Sequence, residues 1–171
     1  MNQNHYKYLD KFIEKIVNPN TYYLHFYLRC LREKTDIDKD LLMCSITNNP
    51  RISDRYKRVL ELAYNQNMRI SDIAKYENVS RSFIDQIILK AVEECVHEYI
   101  ILKAEQNNKF EDILELRLSN KTFHFLYREG ITKIQDIYEY HTYISKKLGP
   151  ATKKELLDAL KSKEFDISVF E

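Results

Sequence analysis

The segment from Ser71 to Ala91 constrains the fold more than any other part of the chain. Its second half carries apolar residues at positions i, i+3, i+4 and i+7, which are Ile84, Ile87, Ile88 and Ala91. This spacing predicts one inward face of a helix. Ser80 precedes that helix and can cap it, because its side chain can accept from a first-turn amide. A shorter helix before it is predicted to be capped by Ser71 and to direct Ile73 and Ala74 inward.

The joint between these two helices has the length of a helix-turn-helix. It contains Glu77, Asn78 and Val79, and we expect Asn78 to take a positive φ, since asparagine tolerates the left-handed region better than most residues. The inward stripe of the second helix leaves Phe83 at its boundary. The residues expected to face outward are Arg81, Ser82, Asp85 and Gln86.

The rest of the chain also favours helices with short connections, because 171 residues contain two glycines and three prolines. We therefore predict an all-α fold. Residues 1–50 are predicted to be an N-terminal helical segment, with helices at about 6–17, 22–34 and 40–46. Residues 51–105 are predicted to be a helix-turn-helix domain, and residues 106–171 a compact helical C-terminal domain. Dense aromatic residues in the first segment favour a core, or else a homodimer or partner surface.

Residues 55–94 resemble region four of bacterial sigma factors, which reads the upstream promoter element. The matching residues are Arg58-Val59-Leu60-Glu61-Leu62, Tyr64, Ser71-Asp72-Ile73-Ala74, Asn78-Val79-Ser80-Arg81, Gln86-Ile87 and Lys90-Ala91. In that family the third helix enters the major groove of DNA. The resemblance therefore implies that DNA is contacted by Ser80, Arg81, Ser82, Phe83, Asp85, Gln86 and Lys90.

This chain departs from the family at its reading edge. It carries Ser82, Phe83 and Asp85 where the family commonly has acidic and basic base-reading residues. Phosphate would repel an outward Asp85 unless its carboxylate accepts from a cytosine amine. We therefore expect a sequence preference other than the usual promoter element. The alternative interpretation is a packing module that contacts only protein.

The last domain is predicted to contain a helix that begins after Ser119 and ends at Gly130, which can supply a left-handed C-terminal residue. Later, two helices are joined by a short loop at Gly149 and Pro150. A helix, a short glycine-containing loop and a second helix can bring backbone amides to phosphates, as in a helix-hairpin-helix element.

About fifty residues of this domain resemble the C-terminal domain of the RNA polymerase alpha subunit. The matching residues are Leu118-Ser119-Asn120-Lys121-Thr122, Leu126, Arg128, Gly130-Ile131, Ile137, Leu148-Gly149 and the segment from Glu155 to Leu160. That family binds the minor groove of A·T-rich DNA and also contacts activators and sigma. The resemblance implies DNA contacts from Lys121, His124, Lys147, Gly149, Ala151 and Thr152. Docking to protein is the alternative role for this domain.

Enzymatic, metal and membrane functions have little support in the sequence. The five histidines are scattered, and we find no phosphate loop, nucleophile elbow or metal-spaced cluster, so we expect no catalytic residues, cofactor or metal. The apolar runs are too short to span a bilayer. Without an export signal, we expect a cytoplasmic protein whose three cysteines, Cys30, Cys44 and Cys95, are buried thiols.

The sequence thus favours a DNA-binding transcriptional regulator, of a small modular form that suits a phage or mobile element. The alternative is an adaptor that mimics sigma and alpha surfaces and binds RNA polymerase or another regulator without reading DNA. The net charge is +1, and residues 51–105 hold nine basic and nine acidic residues. A DNA-binding face must therefore arise from segregation of charge within a domain.

Overall fold

The structure is a computed structural model that describes residues 9–14 and 37–170. In these ranges the regular elements are helical, and the only β pairing is an isolated antiparallel bridge between Asp112 and Lys133. The prediction of an all-α fold is therefore confirmed. Residues 9–14 are helical, whereas the helix predicted at 22–34 lies outside the described residues. The chain divides into two compact units, one ending at Leu102 and the other beginning at Lys103.

The first unit contains a series of helices with short joints. Helix α1 is Lys39–Thr47 and helix α2 is Asp54–Leu60, which continues as a π-helical turn, Glu61–Asn65. Helix α3 is Ile70–Tyr76, and helix α4 is Arg81–Asn107, so the division between the units falls within α4. Side chains cap the first two helices: Asp38 accepts from the Leu41 amide at 3.0 Å, and Ser53 accepts from the Tyr56 amide at 3.4 Å.

The apolar stripe predicted for α4 is confirmed. Its four residues, Ile84, Ile87, Ile88 and Ala91, are all buried. Val59 and Leu60 of α2 and Ile73 and Ala74 of α3 are buried as well. Because the stripe fixes the rotation of α4 about its own axis, it also decides which residues of that helix face solvent.

The prediction that Ser71 caps α3 is wrong. The helix begins at Ile70, and Arg69 occupies the N-cap in an extended conformation without a side-chain hydrogen bond to the helix. The amides of Asp72 and Ile73 donate to the Arg69 carbonyl at 2.8 and 3.0 Å. Ser71 therefore lies in the first turn, where its helical backbone does not allow an N-cap geometry.

The predicted burial of the cysteines is confirmed for one residue and wrong for another. Cys95 is buried, and this burial raises the pKa of its thiol. Cys44 is exposed, because it lies between Leu42 and Ile46 on the opposite face of α1 from those two buried residues. Cys30 lies outside the described residues.

The second unit is also helical. A 3₁₀ turn, Ile113–Glu115, precedes four helices: α5 (Asn120–Arg128), α6 (Ile134–Glu139), α7 (His141–Lys147) and α8 (Pro150–Ser162). A last 3₁₀ turn is Ser168–Phe170. The predicted roles of two residues are confirmed, since Ser119 accepts from the Thr122 amide at 3.4 Å and Gly130 has φ +77° after the end of α5.

Polar contacts from Glu155 hold α5 against α8. Its carboxylate accepts from the Ser119 hydroxyl at 3.0 Å and the Thr122 hydroxyl at 2.5 Å, and also from the Ser119 amide. One side chain of α8 thus satisfies an N-terminal amide and two hydroxyls at the start of α5. Charge-assisted hydrogen bonds of this kind fix where a helix begins relative to its neighbour.

Candidate nucleic-acid interface

The candidate site is built on the joint between α3 and α4. Asn78 has φ +54°, which confirms the prediction of a left-handed residue. The Val79 amide donates to the Ala74 carbonyl at 2.9 Å, which closes the end of α3. Ser80 caps α4 as predicted, since its hydroxyl accepts from the Phe83 amide at 3.2 Å. These bonds determine where α4 starts.

The outer edge of α4 is polar and open to solvent. The four residues predicted to face outward, Arg81, Ser82, Asp85 and Gln86, are exposed, and so is the candidate residue Lys90. Within the part of the chain that the structure describes, Arg81, Asp85 and Lys90 form no ion pair. The charged groups of Arg81 and Asp85 are therefore available to an external partner, whereas Lys90 also lies within electrostatic range of Glu93. Contact of this edge with DNA stays a prediction.

Next to the joint, the buried carboxylate of Glu77 pairs with two arginines of α2. The side chain of Glu77, which is 6% exposed, accepts from Arg58 Nε at 2.7 Å and Arg58 Nη2 at 3.0 Å. It also accepts from Arg55 Nε at 3.2 Å. These bonds, above all the hydrogen bond from Arg58, lower the pKa of Glu77. Glu77 thereby ties α2 to the end of α3.

Arg55 extends this connection to the start of α4. Its guanidinium carbon lies 5.3 Å from the centre of the Phe83 ring, in a cation–π arrangement. Glu77, Arg55 and Phe83 therefore form a continuous link from the turn to the first turn of α4. Sequence reasoning missed Arg55, Arg58 and Glu77 as site residues. Arg55 and Arg58 have a same-face helical spacing, but nothing in the sequence pairs them with a glutamate about twenty positions later.

The C-terminal candidate residues lie on two parts of the second unit. Lys121 and His124 are exposed on α5, three positions apart. Lys147 ends α7 and Gly149 is the N-cap of α8, with exposed Ala151 in the first turn of α8. Thr152 belongs to the same turn, but it is buried and its side chain does not face solvent. Only the backbone of Thr152 remains to serve the predicted phosphate contact.

Exposed tyrosines accompany the C-terminal candidates. Tyr143 is 41% exposed, and the Lys147 ammonium lies 5.7 Å from the centre of its ring. The Tyr143 hydroxyl donates to Glu129 at 2.5 Å, and this bond raises the pKa of Tyr143. Tyr127 and Tyr140 are also largely exposed. Sequence reasoning did not single out these residues, whose aromatic rings at helical spacing are equally typical of a core.

In residues 9–14 and 37–170, no group of histidine, cysteine, aspartate and glutamate side chains is arranged to hold a metal ion. Nor does any helix in these ranges combine the length and apolarity needed to cross a bilayer.

The chain matches no family model, and no curated protein or solved structure shows significant similarity to it.

Proposed function

We propose that this chain is a DNA-binding transcriptional regulator that inserts the start of α4 into the major groove. The observation that carries this proposal is the solvent-exposed half of α4, which carries Arg81, Gln86 and Lys90, while the Ile84, Ile87, Ile88 and Ala91 stripe is buried. A helix held in this way by a tight turn presents its first residues as a rigid edge. Rigid presentation lowers the ordering cost of recognition.

The side chains of that edge fit the chemistry of base reading. Arginine pairs with guanine and glutamine with adenine through two hydrogen bonds each, and a carboxylate accepts from the cytosine amine. Arg81, Gln86 and Asp85 supply these three groups. Lys90, about two and a half helical turns after Arg81, suits a phosphate. In this proposal the second unit adds contacts to flanking DNA or to RNA polymerase through Lys121, His124 and the α7–α8 joint.

Binding-site selection with the full chain, followed by footprinting, tests the proposal. We expect one motif to be enriched and protected. Replacing Arg81 with alanine should weaken binding at that motif by about 1–3 kcal/mol if the residue reads a base. Fluorescence anisotropy titrations on the motif and on a scrambled duplex measure the change. Lys161→Ala, an exposed lysine near the end of α8, is the matched control. Failure to enrich any motif would contradict the proposal.

A second candidate function is a protein-only adaptor that binds RNA polymerase or another regulator. The balanced net charge of +1 and the exposed Tyr127, Tyr140 and Tyr143 favour it, since aromatic residues are enriched at protein interfaces. An adaptor should retain polymerase in a pull-down with little dependence on salt. Steep loss of DNA binding between low and moderate salt would instead favour the regulator.

A further inference from the structure

Phe83 is the one apolar residue on the outward edge at the start of α4. It is 41% exposed, whereas its neighbours Arg81 and Ser82 are polar. Its backbone is fixed, because its amide donates to the Ser80 hydroxyl at 3.2 Å. A large apolar side chain in this position loses favourable free energy to solvent unless a partner covers it.

The Phe83 ring is oriented before any partner arrives. The Arg55 guanidinium lies 5.3 Å from the ring centre, and Glu77 holds Arg55 by a 3.2 Å ion pair. Glu77 is in turn held by Arg58. The cation covers part of the ring, and the residue remains 41% exposed. The contact with Arg55 thus favours one orientation of the ring over others.

The proposed insertion of α4 would bring Phe83, in its first turn, against base edges in the major groove. Arg55, the cation over the ring, is paired with Glu77, as is Arg58. In the major groove, the thymine C5-methyl group is the apolar feature that an aromatic side chain can contact, whereas the other base edges present hydrogen-bonding groups. We propose that Phe83 is a specificity-determining residue that contacts a thymine methyl group. This inference rests on the proposed function.

The test removes only the methyl group. After binding-site selection with the full chain, each thymine of the enriched motif is replaced singly by uracil, and affinities are measured by anisotropy. At one position we expect uracil to weaken binding by about three- to fivefold, the worth of one buried methyl group. With Phe83→Ala, thymine and uracil at that position should bind within twofold of each other. Tyr76→Ala, which removes a 66% exposed ring of α3, should leave the difference intact.

The outcomes separate this inference from the proposed function. An enriched motif at which every uracil replacement is silent would overturn the role of Phe83 and leave DNA recognition standing. If Phe83→Ala weakened binding to the thymine and uracil sites by the same factor, the difference between the two sites would remain. That result would overturn the inference too, because it would indicate a purely structural role for Phe83. Failure to enrich a motif overturns the proposed function, and this inference with it. The uracil series on the unmodified chain is informative even if Phe83→Ala does not fold.

Discussion

Glu77 is the residue that connects the helices of the candidate site. It joins Arg55 and Arg58 of α2 to the turn that precedes α4. Replacing it with glutamine keeps the shape but removes the charge, so we expect a loss of about 1 kcal/mol in the free energy of unfolding at pH 7. Urea unfolding measures this, with the exposed Glu139→Gln as the control.

The Glu77→Gln variant also allows a prediction of how the free energy of unfolding changes with pH. The pKa of folded Glu77 lies below its ordinary value of 4.5, chiefly because of the Arg58 hydrogen bond. The folded state therefore gains stability from ionised Glu77 above pH 4.5, and that gain is lost as the pH falls further. The stability difference between wild type and Glu77→Gln should be full at pH 7 and shrink towards zero as the protein is acidified below pH 4.5. A difference that stays constant across this range would contradict the ion-pair role.

At the level of elements, the turn between α3 and α4 depends on one backbone conformation. Asn78 has φ +54° and is exposed, so substitutions there act mainly through the backbone. We expect Asn78→Ala to cost about 1 kcal/mol and Asn78→Gly to be close to neutral, because glycine accepts the left-handed region without a Cβ clash. Thermal unfolding of the two variants measures the difference. Equal destabilisation by both would indicate that the asparagine amide, not the backbone, is what matters.

Some features of the helices were predictable from the sequence, and others were not. The all-α fold, the Ser80 and Ser119 caps and the positive φ of Asn78 follow from local chemistry, and the structure has them. Ser71 does not cap α3, because the helix begins at Ile70 and Ser71 lies inside its first turn. The Glu77 link was not predictable, because its partners lie 19 and 22 positions away on a different helix.

The burial of individual side chains was predictable only where the periodicity was strong. The stripe of α4 repeats over two turns, and its inward residues are buried. Thr152 carries no such signal, because a threonine in the first turn of a helix suits either a solvent-facing or a buried position. In the folded unit it is buried. Site residues inferred by resemblance therefore need the tertiary structure before their side chains can be assigned a contact.

At the scale of the whole molecule, the net charge of +1 limits how much binding free energy can come from unspecific attraction to phosphate. Each phosphate contact contributes about 0.9 to the slope of log affinity against log salt. If Lys90 contacts a phosphate, Lys90→Ala should therefore decrease the magnitude of the slope by about 1. Titrations of the full chain at several salt concentrations measure the slope. An unchanged slope for Lys90→Ala would mean that Lys90 contacts no phosphate.

Lys147→Ala extends the same measurement to the second unit. If the α7–α8 joint contacts flanking DNA, this variant should also lower the slope, and the loss should appear only with duplexes that extend beyond the enriched motif. If the joint docks on RNA polymerase instead, the slope stays unchanged and polymerase retention falls. Because the two units divide at Leu102, the full chain carrying both substitutions tests whether they act independently. Additive changes in slope would mean that each unit makes its own phosphate contacts, as the regulator hypothesis requires.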